Sequence, residues 1–307
     1  MKNLLPLCLW MSLMWCFSPN YSIGQQYLSQ FTWSDSLYIQ SNERIIRTYS
    51  GEDGSSALLK ETRTDWFVSS YHLIVLDQDL MVQKELLLQD GITHRNQLFL
   101  DVLPIGETLY VLYQKKQKKQ KIIQLLVKAI NKKDWTLATD PQLIYTLNYR
   151  GNYGFGFTNY RPHIEVGWSE NGNYFFVKPY NSDWSDLRFK STKTILFNSR
   201  FEILAMIPDG QDKSATHLGN YSIDNAGNFY SIVKGPNRIK LSRFNPKTQV
   251  NTVTDLGHKG QKTWDSKYLT DKVDNHIIVS LVDRAINLAN GAQTHELHLV
   301  KYHPASD

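Results

Sequence analysis

The sequence predicts an all-β protein built from about five repeated units, each with four strands. Three observations support this prediction. Five apolar, strand-like runs end on a large apolar residue that is followed by Asp, Asn or His and a polar turn. These endings recur at steps of 54, 67, 47 and 58 residues. No window of useful length keeps an apolar stripe at helical spacing, which argues against a helical fold.

The five endings, called anchors below, mark the repeat. They are Leu76-Asp77, Ile130-Asn131, Phe197-Asn198, Phe244-Asn245 and Tyr302-His303. Repetition at this length indicates supersecondary units that cannot bury a face alone and must stack on their neighbours. Several units read as turn, strand, turn, anchor strand, turn and a further strand. That order is typical of the four-stranded blade of a β-propeller.

The apolar residues of the blades predict the core. The segment KIIQLLVKAINKKDW is the best helical candidate, but it aligns with four strand-like anchors and is therefore predicted to be a strand. Eight residues are expected to be buried: Leu73, Val75, Ile123, Leu125, Ile195, Phe197, Ile239 and Leu241.

The fifth unit ends directly after its anchor, so it lacks an outermost strand. Two explanations stay open. The N-terminal segment QFTWSDSLYIQ, residues 30–40, supplies the missing strand and closes the ring. Alternatively, the chain is a fragment of a longer propeller.

Residues 1–24 are expected to be a signal peptide, because Lys2 precedes the apolar run LLPLCLWMSLMWCF and small residues stand at Ser22 and Gly24. Residues 25–307 then form a single propeller domain, exported to the periplasm, the cell surface or the medium. No transmembrane segment is expected in this mature chain. Both cysteines, Cys8 and Cys16, fall in the removed segment, which excludes disulfides and thiolate metal sites.

The charge of the chain excludes some partners. The formal net charge of +5 falls to +4 without Lys2, a mild excess that does not point to nucleic acid. The lysine-rich run QKKQKKQK, residues 114–121, is interpreted as the exposed tip of a hairpin.

The least scaffold-like stretch is NYRGNYGFGFTNYRPH, residues 148–163, which combines aromatic residues, glycines and arginines without an acid. Aromatic faces stack on sugar rings and arginines bind carboxylates or sulfates, so the stretch predicts a ligand-binding loop near the central opening. The alternative is an inter-blade loop whose aromatic residues cap the core. A second polar loop, NSDWSDLRF, places Trp184 between Asp183 and Asp186. The predicted ligand-binding residues are Tyr149, Arg150, Tyr153, Tyr160, Arg161, His163 and Trp184.

Two segments resemble known propeller repeats. Ser222 to Thr248, SIDNAGNFYSIVKGPNRIKLSRFNPKT, resembles one unit of NHL-type propellers. The ten residues WSENGNYFFV, which begin at Trp168, are similar to the first hairpin of Tol-type propeller repeats. Both resemblances imply a propeller, and neither implies a function, because these families bind different partners on a shared scaffold. A sialidase-like Asp box would need Gly where this chain has Ala226.

The sequence favours an exported, non-catalytic binding or scaffold propeller that engages a protein or a carbohydrate through inter-blade loops. The alternative is a propeller hydrolase or lyase that acts on a polysaccharide, with acids contributed by separate blades. No nucleophile elbow, phosphate loop or zinc spacing occurs, and His295 and His298 would point to opposite faces of a strand, so no cofactor and no metal are expected. Carboxylates that converge on the central channel would favour the enzyme.

Overall fold

A computed structural model describes the chain at residues 40–50, 55–65, 68–89, 97–106, 108–132, 134–150, 164–180, 188–189, 192–208, 216–234, 238–257, 263–270, 277–286 and 293–302. All regular structure in these residues is β-strand, and the strands form five antiparallel sheets. The sheets are called blades 1 to 5 in chain order.

The strands of the blades follow one another along the chain. Blade 1 contains β1 (Glu43–Ser50), β2 (Ser56–Asp65), β3 (Val68–Leu76) and β4 (Val82–Gln89). Blade 2 contains β5 (Gln97–Ile105), β6 (Thr108–Gln117), β7 (Ile122–Asn131), the short β8 (Thr136–Leu137) and β9 (Gln142–Arg150). Blade 3 contains β10 (Ile164–Trp168), β11 (Tyr174–Pro179), β13 (Thr194–Asn198) and β14 (Ile203–Ile207). Blade 4 contains β15 (Thr216–Ile223), β16 (Phe229–Lys234), β17 (Ile239–Asn245) and β18 (Val250–Asp255). Blade 5 contains β19 (Thr263–Thr270), β20 (Ile277–Ile286) and β21 (Gln293–Tyr302), and β12 (Arg188–Phe189) joins the outer edge of blade 2.

The first strands of successive blades contact one another, which makes them the innermost strands of a β-propeller. β5 contacts β10, β10 contacts β15, and β15 contacts β19. β1 reaches β5 through the Tyr49 hydroxyl, which donates to the carbonyl oxygen of Val102 at 3.1 Å. The predicted all-β propeller of about five blades is therefore confirmed.

Each anchor occupies the third strand of its blade, as the repeat predicts. The anchor strands β3, β7, β13, β17 and β21 end within one residue of the predicted anchors. The helical alternative for residues 121–135 is excluded, because Ile122–Asn131 forms β7. The segment WTLATDPQLIYTL, expected to be one strand, forms two strands, since a bend at residues 139–140 separates β8 from β9.

The core lies between the blades, and the eight residues predicted to be buried are all at most 1% exposed. Phe175 of β11 stacks on Phe197 of β13 with ring centroids 4.7 Å apart. Large buried rings of this kind supply much of the stabilisation by apolar burial, on the order of 2–3 kcal/mol for each side chain.

Glycine-containing turns fix the ends of the innermost strands. Gly172, in the turn after β10, has a φ of +66°, and a Cβ there would collide with the carbonyl oxygen of Pro104 in blade 2. In the same turn, the backbone N–H of Asn171 donates to Oδ1 of Asn225 in blade 4 at 2.9 Å. One turn thus connects three blades.

Blade 5 has three strands among the described residues, in agreement with the missing outermost strand. Residues 30–39, the proposed source of a fourth strand, lie outside the described residues, as does the predicted signal peptide.

Candidate functional site

The innermost strands of blades 1, 2 and 3 bring three side chains together at the propeller axis. Nη2 of Arg47 on β1 donates to Oδ2 of Asp101 on β5 at 2.9 Å. The guanidinium carbon of Arg47 lies 4.1 Å from the ring centroid of Trp168 on β10. Blades 1 and 3 are not neighbours in chain order. Arg47 and Trp168 therefore meet in the region where the innermost strands converge. We call Arg47, Asp101 and Trp168 the axial cluster.

Two β-bulges position the charged members of this cluster. The pairing of β1 with β2 shifts register between Ile45 and Arg47, and the pairing of β5 with β6 shifts between Phe99 and Asp101. A bulge inserts one unpaired residue and re-aims the side chains that follow it, and such irregularities are common next to active sites. Arg47 and Asp101 each come directly after the inserted residue, so the bulges determine where both charges point.

Burial changes the proton affinity of Asp101. Its side chain is 12% exposed, and this burial raises the pKa of Asp101 to about 6 from an ordinary 3.8. The charge of Arg47 and the hydrogen bond from the backbone N–H of Val102, at 2.9 Å to Oδ1, oppose the rise in pKa. Asp101 therefore titrates close to neutral pH, where a carboxyl group can exchange protons with a substrate.

A second carboxyl group with a raised pKa occurs on the innermost strand of blade 3. Burial raises the pKa of Glu165 on β10 to about 7, and the charge of Lys178 opposes the rise. Glu165 pairs in register with Lys178 on β11, a lysine that is only 6% exposed. Nζ of Lys178 donates to Oγ1 of Thr194 at 3.5 Å and lies 4.9 Å from the ring centroid of Tyr221 in blade 4.

Asp101 and Glu165 occupy comparable places along the innermost strands of blades 2 and 3. Asp101 stands four residues before the end of β5, and Glu165 stands three residues before the end of β10. The two strands contact each other, and the close approach of Gly172 to Pro104 holds their ends together. Two carboxyl groups with raised pKa values thus come from the innermost strands of adjacent blades.

The structure describes two of the seven residues that the sequence predicts for ligand binding. Tyr149 lies in β9, is 1% exposed and packs in the core between blades 2 and 3, so it has no free face for stacking. Arg150 ends β9 and pairs in register with Arg188 of β12. Tyr153, Tyr160, Arg161, His163 and Trp184 lie outside the described residues.

The β9–β12 pairing joins the described ends of the two stretches that the sequence analysis singled out. β9 continues into residues 151–163, and β12 follows residues 181–187. The connection from β9 to β10 runs from the outer edge of blade 2 to the innermost strand of blade 3. The predicted loop therefore starts at the rim and ends one residue before β10, which carries Glu165 and Trp168.

Sequence reasoning missed the axial cluster. Arg47, Asp101 and Trp168 are far apart in the chain, and none of them belongs to a motif of known chemistry. The one available signal is a lone acid in the apolar strand QLFLDVLPI, where an unpaired carboxyl would be costly to bury.

Neither a metal-binding cluster nor a membrane-spanning helix occurs among the described residues. No group of three or more His, Cys, Asp or Glu side chains in these residues is arranged to hold a metal ion. In the same residues, no helix is long and apolar enough to cross a membrane.

No protein-family model matches the sequence, and no characterised protein sequence matches it significantly. The narrower resemblance to NHL-type and Tol-type repeats therefore finds no support.

Several solved structures share part of the architecture. An α-L-arabinofuranosidase from Fusarium graminearum in complex with an iminosugar inhibitor is 11% identical, with 84% of this chain and 76% of that chain covered and a TM-score of 0.46. An acylaminoacyl peptidase from Pyrococcus horikoshii is 10% identical, with 83% and 36% covered and a TM-score of 0.45. A GH43 endo-arabinanase from Bacillus licheniformis is 12% identical, with 87% and 95% covered and a TM-score of 0.32. Likenesses this distant carry no information about activity, and the fold assignment rests on the strand order.

Proposed function

We propose that the protein is an exported propeller enzyme that cleaves glycosidic bonds in a polysaccharide, by hydrolysis or elimination. Asp101 and Glu165 are the acid and base groups. The observation that supports this function is the presence of two carboxyl groups, one buried and one half-buried, with raised pKa values on the innermost strands of adjacent blades. Most glycoside hydrolases use a pair of carboxyl groups that flank the scissile bond, and in a propeller the two groups can come from separate blades.

The surroundings of the two carboxyl groups suggest their roles in this proposal. The ion pair with Arg47 favours the ionised form of Asp101, whereas burial favours the protonated form of Glu165. Two carboxyl groups whose environments separate their pKa values are typical of acid and base pairs. Glu165 donates a proton to the oxygen of the leaving sugar. Asp101 acts on the other reacting group, as the base that activates water or removes a sugar proton.

Arg47 and Trp168 position this chemistry. The ion pair with Arg47 favours the ionised form of Asp101 against the effect of burial, which keeps the group available as a base. The Trp168 ring contacts the guanidinium from one side and restricts its motion. Residues 151–163 and the loop around Trp184 remain proposed contacts for the polysaccharide chain.

A non-catalytic carbohydrate-binding propeller is the second candidate. One observation favours it: the hydrogen bond from Arg47 already occupies Oδ2 of Asp101, as in a purely structural ion pair. In that case Asp101 stabilises the packing of the innermost strands, and the predicted loops bind the ligand.

Release of reducing ends distinguishes the two functions. The purified chain without residues 1–24 is incubated with neutral and acidic plant, algal and bacterial polysaccharides, and new reducing ends are counted. The enzyme assignment predicts turnover on at least one polymer, reduced more than about 100-fold by Asp101→Asn and by Glu165→Gln. Glu202→Gln, which changes an exposed acid in blade 3, is the matched control and leaves turnover unchanged. Binding without turnover on the whole panel, or turnover that survives both substitutions, overturns the assignment.

A further inference from the structure

Some hydrogen-bond donors of the Arg47 guanidinium have no acceptor in the part of the chain that the structure describes. Nη2 is used by Asp101, whereas Nε and Nη1 have no acceptor among the residues that the structure describes. The Arg47 side chain is 41% exposed, although Asp101 beside it is 12% exposed. One edge of the guanidinium is therefore buried against blade 2, and donors remain for a group that enters from solvent.

The surroundings of Arg47 suit a planar anion. An arginine presents its donors as a rigid fork that matches both oxygens of a carboxylate. The Trp168 ring lies against the guanidinium, so less side-chain freedom is lost when a ligand binds. A neutral sugar would use single hydrogen bonds here and gain little from the charge.

We propose that the polysaccharide is anionic and that Arg47 binds a carboxylate of one of its sugars, a uronic acid. This inference rests on the proposed function, because it assigns the substrate class of the same site. It places the acidic sugar next to Asp101, at the point where blades 1, 2 and 3 meet.

Ligand charge would then compete with Asp101 for Arg47. The groups that face Arg47 are Asp101 from β5, Trp168 from β10 and, on its own strand, Tyr49. Burial raises the pKa of Tyr49, so this phenol is neutral, and the indole carries no charge. Asp101 is thus the only anion of these groups. When Asp101 is protonated, it no longer neutralises Arg47, and the positive charge of Arg47 can attract the ligand. Affinity for an anionic sugar should rise as pH falls through about 6.

The test uses matched ligands. Oligosaccharides of galacturonate, glucuronate and mannuronate, and the same oligosaccharides after chemical reduction of their carboxyl groups, are titrated into the protein by calorimetry. Neutral oligosaccharides that carry sulfate groups are the third set of ligands, because sulfate is an alternative anion for the Arg47 guanidinium. Arg47→Gln is compared with Arg44→Gln, an arginine of the same strand that pairs with Glu61.

We expect at least one uronate oligosaccharide to bind, and carboxyl reduction to weaken binding about 10- to 100-fold, the usual contribution of a charged hydrogen bond. Arg47→Gln should weaken binding by a similar factor and Arg44→Gln should not. Equal affinity for the reduced ligands, preference for the sulfated ones, or no binding to any uronate overturns the inference. The reduced ligands test it on the wild-type protein, even if Arg47→Gln fails to fold.

The two proposals fail separately. Uronate binding without turnover contradicts the enzyme and retains the anionic subsite. The opposite result is turnover of a neutral polysaccharide that carboxyl-reduced oligosaccharides inhibit as strongly as uronate oligosaccharides do. It would support the enzyme and contradict the anionic subsite.

Discussion

Arg47 and Trp168 lie 4.1 Å apart, measured from the guanidinium carbon to the ring centroid, although they belong to the first and third blades of the propeller. Such a contact spans the axis, because the innermost strands of non-adjacent blades approach each other only there. The charged members of the axial cluster follow bulges in their strands, so backbone irregularities determine the geometry of the site.

The contact between Arg47 and Trp168 should contribute measurably to stability. Cation–π pairs of this kind are worth about 0.5–2 kcal/mol. A double-mutant cycle with Arg47→Met and Trp168→Leu should give a coupling free energy of about 1 kcal/mol in urea denaturation. A coupling close to zero would show that the two side chains are adjacent without stabilising each other.

The raised pKa values predict a pH dependence of stability. The folded states of Asp101 and Glu165 hold protons up to about pH 6 and about pH 7, whereas the unfolded groups release them at their ordinary values of 3.8 and 4.5. The folded chain therefore binds more protons between these limits, and the free energy of unfolding falls as pH rises from about 4 to about 7.

Asp101→Asn should remove the contribution of Asp101 to this pH dependence. That contribution is a fall in the free energy of unfolding on the order of 2–3 kcal/mol between about pH 4 and about pH 7. The measurement is the difference in unfolding free energy between the wild type and the variant across the pH range. A difference that stays constant with pH would mean that Asp101 titrates normally in the folded chain.

The sequence predicted the blades well because the blade core is a local, repeated pattern. Apolar residues recur in every anchor strand, and Phe197 and Leu241 are two of them, each at most 1% exposed. The site was less predictable. It depends on one-residue bulges and on contacts between residues more than fifty positions apart, such as Arg47 and Asp101, and neither leaves a periodic signal.

Tyr149 is a residue that the sequence analysis assigned to the wrong kind of element. The sequence analysis grouped it with the aromatic loop that follows, yet the last residues of β9 still belong to blade 2, and Tyr149 packs in the core. Composition identified an unusual stretch, but it did not show where the strand ends and the loop begins.

A comparison of Gly106 with Gly172 distinguishes the cost of a left-handed backbone from the cost of a steric collision. Gly172 and Gly106 both have positive φ values, +66° and +53°, but only at Gly172 would a Cβ collide with backbone. Gly106→Ala should cost about 1–2 kcal/mol, the usual penalty for a left-handed residue with a side chain. Gly172→Ala should cost clearly more, because the turn must also move away from Pro104. Equal thermal stability of the two variants would contradict the close packing of blades 2 and 3.

The stacked rings of blade 3 predict a large loss on truncation. Phe197→Ala removes a fully buried ring that stacks on Phe175, so the free energy of unfolding should fall by about 3–5 kcal/mol. Ile203→Ala, at a position of β14 that is 41% exposed, serves as the control and should cost much less. Similar losses for both would indicate that the blade is not packed as described.

The pH dependence of turnover tests the central claim most directly. On a cleaved polysaccharide, kcat/KM should follow a bell-shaped curve with limbs near pH 6 and pH 7, set by ionised Asp101 and protonated Glu165. Any residual activity of Asp101→Asn should lose the acidic limb, and that of Glu165→Gln should lose the alkaline limb. A profile that keeps both limbs in both variants would contradict the assignment of these two carboxyl groups.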